Sequence, residues 1–182
     1  QALLIFYDLL NGNGTEAISN FERMTNGNAD TFDLLSLLGF ADYLDCTFLL
    51  AEEYQKRAQF ESALRHYEEV FREDQKWNYF RHFRVEIKQR IRDIYCRYLA
   101  RGAKPRVAIL YYRKLLSEYD FPKNERAFFY KKMAESYYEL RQIELAKDHL
   151  AEAFRLKTNL TGAKKIQQRL NVFVSYNSSL SP

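Results

Sequence analysis

A short pattern of side chains recurs three times along the chain and constrains its fold strongly. In each occurrence a small residue is followed by a bulky residue four positions later, and by another apolar residue three positions after that. The occurrences are Ala63, Tyr67 and Val70; Ala108, Tyr112 and Leu115; and Ala146, Leu150 and Ala153. Steps of four and three residues place side chains on one face of an α-helix. The pattern therefore predicts three helices that pack through equivalent faces.

A second pattern precedes each of these helices. It consists of a bulky residue with a small neighbour, followed three positions later by a further large side chain. The occurrences are Leu50, Ala51 and Tyr54; Tyr95, Cys96 and Leu99; and Met133, Ala134 and Tyr137. A small residue lets two helix axes approach closely, and the bulky neighbours fill the space beside the contact. The pattern predicts three helical hairpins, in which Cys96 has a structural role.

Together the two patterns resemble the tetratricopeptide repeat, a helical hairpin of about 34 residues. The resemblance covers residues 44–158, and Ala17, Phe21 and Met24 indicate a degenerate unit before them. It implies an α–α superhelix of stacked hairpins whose concave groove binds a peptide or a protein. Ala63 and Ala108 are 45 positions apart and Ala108 and Ala146 are 38 apart, so we expect an irregular superhelix.

The remaining sequence also indicates an all-α fold. The chain has six glycines and three prolines, and apolar residues recur at steps of three and four. We predict helices at 2–10, 15–25, 31–57, 60–73, 78–102, 105–119, 124–141, 143–157 and 162–173. The predicted organisation is a degenerate hairpin at 1–30, three units at 31–75, 78–120 and 124–158, a capping helix at 161–174 and a flexible tail at 175–182.

Residue patterns typical of catalysis are missing from the sequence. It contains no phosphate-binding glycine loop, nucleophile elbow or zinc-protease motif, and its three histidines fall on three predicted helices. We therefore expect no enzyme activity, no cofactor and no metal site. Cys46 and Cys96 are predicted to be free, buried thiols, and the apolar stretches are too short to span a membrane. A cytoplasmic location is the default expectation, which a start without Met leaves open.

Positive charge is concentrated in the middle of the chain. Residues 76–106 contain ten basic and two acidic residues, a net charge of +8, although the whole chain carries only +4. Within this segment Arg90, Arg97 and Arg101 recur at steps of seven and four, and so share a helix face. A field of this sign favours an acidic partner, and arginine can bind a carboxylate through two hydrogen bonds.

The resemblance also implies which residues line the groove, because first helices supply the concave surface in this family. The candidates are Phe48, Glu52, Gln55, Arg90, Asp93, Arg97, Arg101, Lys131, Glu135 and Tyr138, joined by Lys165 and Arg169 if the last helix begins another half-unit. Chaperone-binding members of the family hold a C-terminal carboxylate with Lys and Asn. Phe48 and Glu52 stand at the corresponding places here, so that activity is not implied.

Several alternatives remain open at this point. The arginines could serve only to solvate a long helix and pair with neighbouring glutamates. Aromatic residues that alternate with arginines near residue 80 are compatible with nucleic-acid binding, although their apolar spacing favours a place in the core. Exposed ends of a short repeat array favour self-association. Finally, the chain could be the ligand-sensing or regulatory domain of a larger signalling or transcription-control protein.

Overall fold

The computed structural model describes residues 2–25, 38–77 and 84–178, and every regular element in these ranges is a helix. The α-helices are α1 (Ala2–Leu10), α2 (Gly14–Met24), α3 (Phe40–Lys56), α4 (Phe60–Trp77), α5 (Arg84–Asp93), α6 (Pro105–Glu118), α7 (Lys123–Glu139), α8 (Ile143–Leu156) and α9 (Ala163–Ser178). A π-helix, Ile94–Leu99, directly follows α5. The prediction of an all-α protein is confirmed.

The chain divides into two compact units, Gln1–Ile94 and Tyr95–Pro182. In the N-terminal unit, α1 packs against α2 and α3 against α4, while α3 also contacts both helices of the first hairpin and α4 contacts α5. In the C-terminal unit, α7 packs against both α6 and α8, and α9 lies against α7 and α8. The division falls inside the predicted second repeat, and the predicted repeat boundaries stay predictions.

Three helix connections share one turn geometry. The amides of Asn13, Gln59 and Gln142 donate to the carbonyls of Asp8, Tyr54 and Tyr137, each five positions earlier, at 2.8 to 3.0 Å. The residues just before these amides, Gly12, Ala58 and Arg141, have φ of 77°, 58° and 61°. Each turn also has a second, inner hydrogen bond, which the amide of the left-handed residue donates to the carbonyl three positions earlier. This pair of bonds around a left-handed residue is the Schellman motif, which ends a helix by satisfying its last carbonyl groups.

The start of the following helix is also the same in all three connections. Ala17, Ala63 and Ala146 donate their amides to the carbonyls of Asn13, Gln59 and Gln142, each at 3.0 Å. All three alanines are fully buried. Because an alanine leaves room for a close helix approach, each turn is followed by a tight contact at the same register.

The middle connection ends its first helix differently. The amide of Ala100 donates to the carbonyl of Tyr95 at 2.7 Å, which is the hydrogen-bond spacing of a π-helix. The second helix nevertheless starts as in the other three hairpins, since the amide of Ala108 donates to the carbonyl of Lys104 at 3.0 Å. The π-helix therefore changes how the first helix of this hairpin ends, whereas the second helix, α6, starts as the second helices of the other hairpins do.

The residues predicted to pack the repeats lie almost entirely in the core. Those that are buried are Ala51, Tyr54, Ala63, Tyr67, Ala108, Tyr112, Ala134, Tyr137, Ala146 and Ala153. Both cysteines are free, and Cys46 is buried, but Cys96 is only half-buried. The prediction of a buried Cys96 is therefore wrong, because the π-helix turns this residue partly outward.

Four predicted helix ranges need correction. The helix predicted at 60–73 continues to Trp77. Leu38 and Gly39 are not helical and Gly39 is extended at φ −60° and ψ 157°, so no single helix runs over 31–57. The predicted α-helix at 78–102 becomes a π-helix after Asp93, and residues 78–83 lie outside the described ranges. The last helix continues to Ser178, beyond its predicted end at residue 173.

One face of α1 is apolar and exposed. Leu3, Leu4, Tyr7 and Leu10 are each between 50% and 69% exposed, while Ile5 on the opposite face is fully buried. The exposed face has the composition that an end of a repeat array would show. Self-association through such ends stays a prediction.

A buried histidine joins three helices of the N-terminal unit. The His66 ring of α4 stacks on Tyr54 of α3, with ring centroids 5.4 Å apart and 17° between planes. Phe21 of α2 meets the same ring edge-on at 5.4 Å. Among the described residues neither ring nitrogen of His66 has a hydrogen-bond partner. Burial, together with the charge of Arg65, lowers the pKa of His66 to about 4, so the ring is neutral near pH 7.

This geometry predicts a pH-dependent loss of stability. The folded-state pKa of His66 lies below its unfolded value, so the unfolded chain takes up a proton first as the pH falls. The free energy of unfolding should be undiminished above pH 6.5 and should fall between pH 6.5 and about 4. The loss from this residue should reach about 3 kcal/mol, at 1.36 kcal/mol per pKa unit. Urea unfolding by circular dichroism at several pH values measures it.

His66→Phe should make the pH dependence over this range much shallower, because Phe keeps an aromatic ring in an apolar site. The matched control is His149→Phe in the C-terminal unit, which leaves His66 in place and should retain the dependence. Equal slopes in His66→Phe and the unmodified protein would contradict the assignment.

The Schellman turns predict a stabilising glycine. Ala58 is exposed and has φ of 58°, a conformation that costs a residue with a Cβ roughly 1–2 kcal/mol. Glycine removes this strain but adds about 0.4–1 kcal/mol of unfolded-state entropy. Ala58→Gly should therefore raise the free energy of unfolding by about 0.5–1 kcal/mol in urea titrations.

Ala103→Gly is the matched control, since Ala103 precedes the start of α6 as Ala58 precedes that of α4 but does not have a positive φ. It should lower the free energy of unfolding by about 0.4–1 kcal/mol through the same entropy effect. The strain argument fails if both glycine variants shift stability in the same direction.

Candidate functional site

A pocket of about 570 Å³ lies within the C-terminal unit. It is formed by the π-helix, the turn after it, the first half of α6 and the second half of α7. Its lining residues are Cys96, Arg97, Tyr98, Ala100, Arg101, Ala103, Pro105, Ala108, Tyr112, Lys132, Glu135, Ser136 and Glu139. The volume falls within the range of pockets that hold small ligands or several side chains.

The π-helix explains how neighbouring residues reach the same pocket. Its hydrogen bonds span five residues, so each turn takes more residues and successive side chains are separated by a smaller angle than in an α-helix. Cys96, Arg97 and Tyr98 all line the pocket as a result. π-Helical turns are rare and occur frequently at functional sites.

One wall of the pocket is basic. Arg97 and Arg101 are both exposed and belong to the π-helix and the turn after it. In the described part of the chain, Arg101 has neither a hydrogen-bond nor an ion-pair partner through its side chain. A guanidinium in this position keeps all of its donors for a ligand.

A second wall, formed by α7, carries carboxylates. Glu135 pairs with Lys132, with an Nζ–Oε2 distance of 2.6 Å, so its charge is compensated within the helix. Glu139 lies one turn further on, is exposed, and has no ion-pair partner within the described ranges. Glu139 is also the last residue of α7, where the negative end of the helix dipole disfavours a carboxylate. A cation beside Glu139 would compensate its charge and would offset the unfavourable helix dipole.

The remaining residues that we call the floor are apolar apart from one hydroxyl, that of Tyr112; they are Ala100, Ala103, Pro105, Ala108 and Tyr112. Tyr112 is 4% exposed and its ring stacks on Phe129 at a centroid distance of 6.2 Å. Among the described residues no group is hydrogen-bonded to the Tyr112 hydroxyl, and its oxygen is not one of the buried unpartnered atoms, so it is accessible from the pocket. Burial raises the pKa of Tyr112 well above its ordinary value, and the negative potential of Cys96 and Glu135 raises it further. The phenol therefore stays protonated and can donate a hydrogen bond to a ligand.

Five predicted groove residues lie in the N-terminal unit: Phe48, Glu52, Gln55, Arg90 and Asp93. The Gln55 side-chain oxygen accepts from the Tyr67 hydroxyl at 3.0 Å, and Asp93 pairs with Arg92 at 2.7 Å. Phe48 contacts Tyr67 edge-on at a centroid distance of 5.7 Å. Arg90 pairs with Glu52 at 3.3 Å and with Glu86, one turn earlier on α5, at 3.1 Å. Arg90 and Glu52 thus compensate each other, which matches the alternative that some arginines only pair with glutamates.

The other predicted groove residues belong to the C-terminal unit, and the pocket brings together Arg97, Arg101 and Glu135. Lys131 does not line it, because its Nζ donates to the Thr161 carbonyl at 3.0 Å and lies 5.3 Å from the Phe128 ring centroid. Partial burial lowers the pKa of Lys131. Tyr138 is half-buried on α7, and Lys165 and Arg169 are exposed on α9.

Sequence reasoning missed Tyr98, Lys132 and Glu139 as pocket residues, and it assigned Ala108, Tyr112 and Cys96 to packing alone. The spacing of Glu135 and Glu139 contained a usable signal, since residues four apart share a helix face. Tyr98 carried none, because in a regular α-helix it is rotated by about 100° from Arg97 and by about 200° from Cys96.

The described residues contain no group of three or more His, Cys, Asp or Glu side chains that could hold a metal ion. None of the helices in these ranges is long and apolar enough to cross a membrane. No protein-family model matches the chain, and neither the curated proteins nor the solved structures contain a match. The tetratricopeptide resemblance therefore rests on the residue patterns and stays a prediction.

The pocket predicts that the two cysteines differ in reactivity. Cys96 lines the pocket, whereas Cys46 is buried and its pKa is raised to about 12 by burial and by the charge of Asp45. Because the thiolate is the reactive form, iodoacetamide should modify Cys96 in the folded protein on the order of a hundredfold faster than Cys46. Peptide mass spectrometry of timed samples measures both rates.

Denaturant provides the control, since unfolding should bring the two rates within a few-fold of each other. Comparable rates in the folded protein would show that the pocket does not admit the reagent to Cys96.

Proposed function

We propose that the protein is a non-catalytic, tetratricopeptide-like scaffold that binds an acidic segment of a protein or peptide. The observation that carries the proposal is the pair of exposed arginines, Arg97 and Arg101, on one wall of the pocket in the C-terminal unit. A guanidinium presents donors in a fixed plane that matches a carboxylate, so two of them favour an acidic guest over a neutral one.

The turn geometry supports the repeat part of this proposal. Three connections have the same Schellman motif, each followed by a buried alanine four residues after its last member. Repetition of one hairpin geometry is what a helical repeat protein requires. Such hairpins hold their side chains on rigid elements, so a partner would meet preorganised donors at little entropic cost.

The charge distribution supports the acidic partner. Residues 76–106 carry a net charge of +8, and Arg97 and Arg101 lie within this segment. A concentrated positive field attracts acidic segments from a distance and increases their association rate at low salt. Nucleic acid would meet the same field, but the described pocket offers a single exposed aromatic, Tyr98, which is little for base stacking.

A ligand-sensing or regulatory domain is a second candidate function. The pocket volume favours it, because about 570 Å³ also suits a small molecule. A competition assay measures the affinity of a small ligand with and without a saturating acidic peptide. An unchanged affinity would mean that the small ligand uses another site.

Charge reversal at the basic wall tests the proposal. Arg97→Glu with Arg101→Glu should weaken binding of fluorescein-labelled, end-capped Asp- and Glu-rich peptides by about 100-fold. This estimate assigns about 1.5 kcal/mol to each lost charged hydrogen bond. Fluorescence anisotropy at low and physiological salt gives the dissociation constants.

The matched control is Lys104→Glu with Arg106→Glu, which changes the net charge equally at exposed positions that do not line the pocket. The control should lose only the long-range attraction, a few-fold at low salt and less at high salt. If both double variants weaken binding equally, the arginines have no specific role and the proposal fails.

A further inference from the structure

The pocket contains two opposite charges that the described residues leave uncompensated. Arg101 on the basic wall and Glu139 on the second wall line the same cavity, yet no ion pair joins them to each other or to another described residue. An acidic peptide would use Arg101 but would also place negative charge near Glu139. The proposed acidic partner therefore accounts for one wall of the pocket and not for the other.

We propose that the pocket selects an amphoteric peptide segment, with a carboxylate bound by Arg101 and Tyr112 and a nearby Lys or Arg side chain bound by Glu139. This inference rests on the proposed peptide-binding function and narrows its partner class. A segment that carries both charges within a few residues satisfies both walls, which a purely acidic or purely basic segment cannot do.

The carboxylate position follows from two donors. Arg101 is exposed and offers its guanidinium donors, and the Tyr112 hydroxyl is unpartnered although the side chain is only 4% exposed. The hydroxyl oxygen is not among the buried unpartnered atoms, so it is open to the cavity and can donate to a carboxylate that enters. Tyr112 and Arg101 line one cavity, so one carboxylate can accept from both.

The cation position follows from a comparison along α7. Glu135 and Glu139 are one turn apart and both line the pocket, but only Glu135 has a lysine, Lys132, at 2.6 Å. The charge of Glu139 is unopposed and lies at the negative end of the helix dipole. A second ligand carboxylate here would meet repulsion from Glu139, while an ammonium or guanidinium would meet attraction.

The apolar floor indicates what separates the two ligand charges. Ala100, Ala103, Pro105 and Ala108 are small or compact residues that leave the volume of the pocket open. A short apolar stretch between an acidic and a basic residue would fill this floor. The selected segment is thus an acidic residue, a few small residues and a basic residue.

Four labelled, end-capped peptide pools test the inference by fluorescence anisotropy. Each pool has two charged or polar positions separated by two randomised Ala, Ser or Val residues. The first pool carries Asp and Lys in both orders, the second two Asp, the third two Lys, and the fourth Asn and Gln. The unmodified protein should bind the mixed-charge pool at least about tenfold more tightly than the pool with two Asp.

Glu139→Gln is the diagnostic variant, since it removes one exposed charge and should leave the fold intact. It should weaken the mixed-charge pool about tenfold and leave the pool with two Asp unchanged or tighter. Glu139→Lys should reverse the preference, so that two Asp bind more tightly than Asp with Lys. Asp148→Asn on α8 is the matched control, because it removes an exposed carboxylate outside the pocket and should change neither pool.

Protection of Cys96 locates the binding. A mixed-charge peptide at about its dissociation constant for the unmodified protein should slow iodoacetamide modification of Cys96 there, and should slow it much less at the same concentration in Glu139→Gln. Unchanged protection in Glu139→Gln would place the peptide in the pocket without a role for Glu139, and would overturn the inference.

The remaining outcomes separate this inference from the function on which it rests. If two Asp bind as tightly as Asp with Lys, and Glu139→Gln changes neither, the inference is wrong while binding of acidic segments stands. If no Asp-containing pool binds, the proposed function is wrong and the inference falls with it. Equal weakening by Glu139→Gln and Asp148→Asn would reduce the effect to general electrostatics and would also overturn the inference.

Discussion

The hydrogen bond that closes each Schellman turn sets the hairpin geometry on which the rest of the fold depends. It joins Tyr54 to Gln59 and Tyr137 to Gln142 across a residue in the left-handed region. The bond fixes the residue at which one helix ends. The residue that donates this bond directly precedes the next helix, so the alanine four positions later always has the same place in that helix. A buried alanine there lets the two helices approach closely. One local bond therefore determines a long-range packing contact.

Much of this arrangement could be predicted from the sequence. The small residues at Ala63 and Ala146 identified the second helices, because tight helix contacts require a small side chain and spacing of three and four residues reports the buried face. The turns themselves could not be predicted, since Ala58 and Arg141 stand where glycine is the usual residue. The hydrogen bonds of the turn hold these exposed positions at positive φ, and residue preferences alone do not predict a left-handed alanine or arginine.

The candidate site was predicted only in part, for a physical reason that lies in the π-helix. Arg97 and Arg101 could be placed on one face because an α-helix repeats every 3.6 residues. Their shared pocket with Tyr98 depends on a change of hydrogen-bond spacing after Asp93, which apolar periodicity does not encode. The same change turned Cys96 from an expected core position into a pocket residue. The sequence thus identified the two arginines and Glu135, and it missed Tyr98, Lys132 and Glu139.

Helix α7 shows why packing and binding are coupled in this unit. Met133, Ala134 and Tyr137 are buried, while Glu135 and Glu139 line the pocket from the adjoining face. The helix cannot rotate to adjust its carboxylates without withdrawing buried side chains from the core, which costs far more than an exposed ion pair returns. The positions of the two charges are consequently set by the core. In the proposed binding mode, selection between acidic and mixed-charge ligands depends on which side chains occupy those positions, and not on movement of the helix.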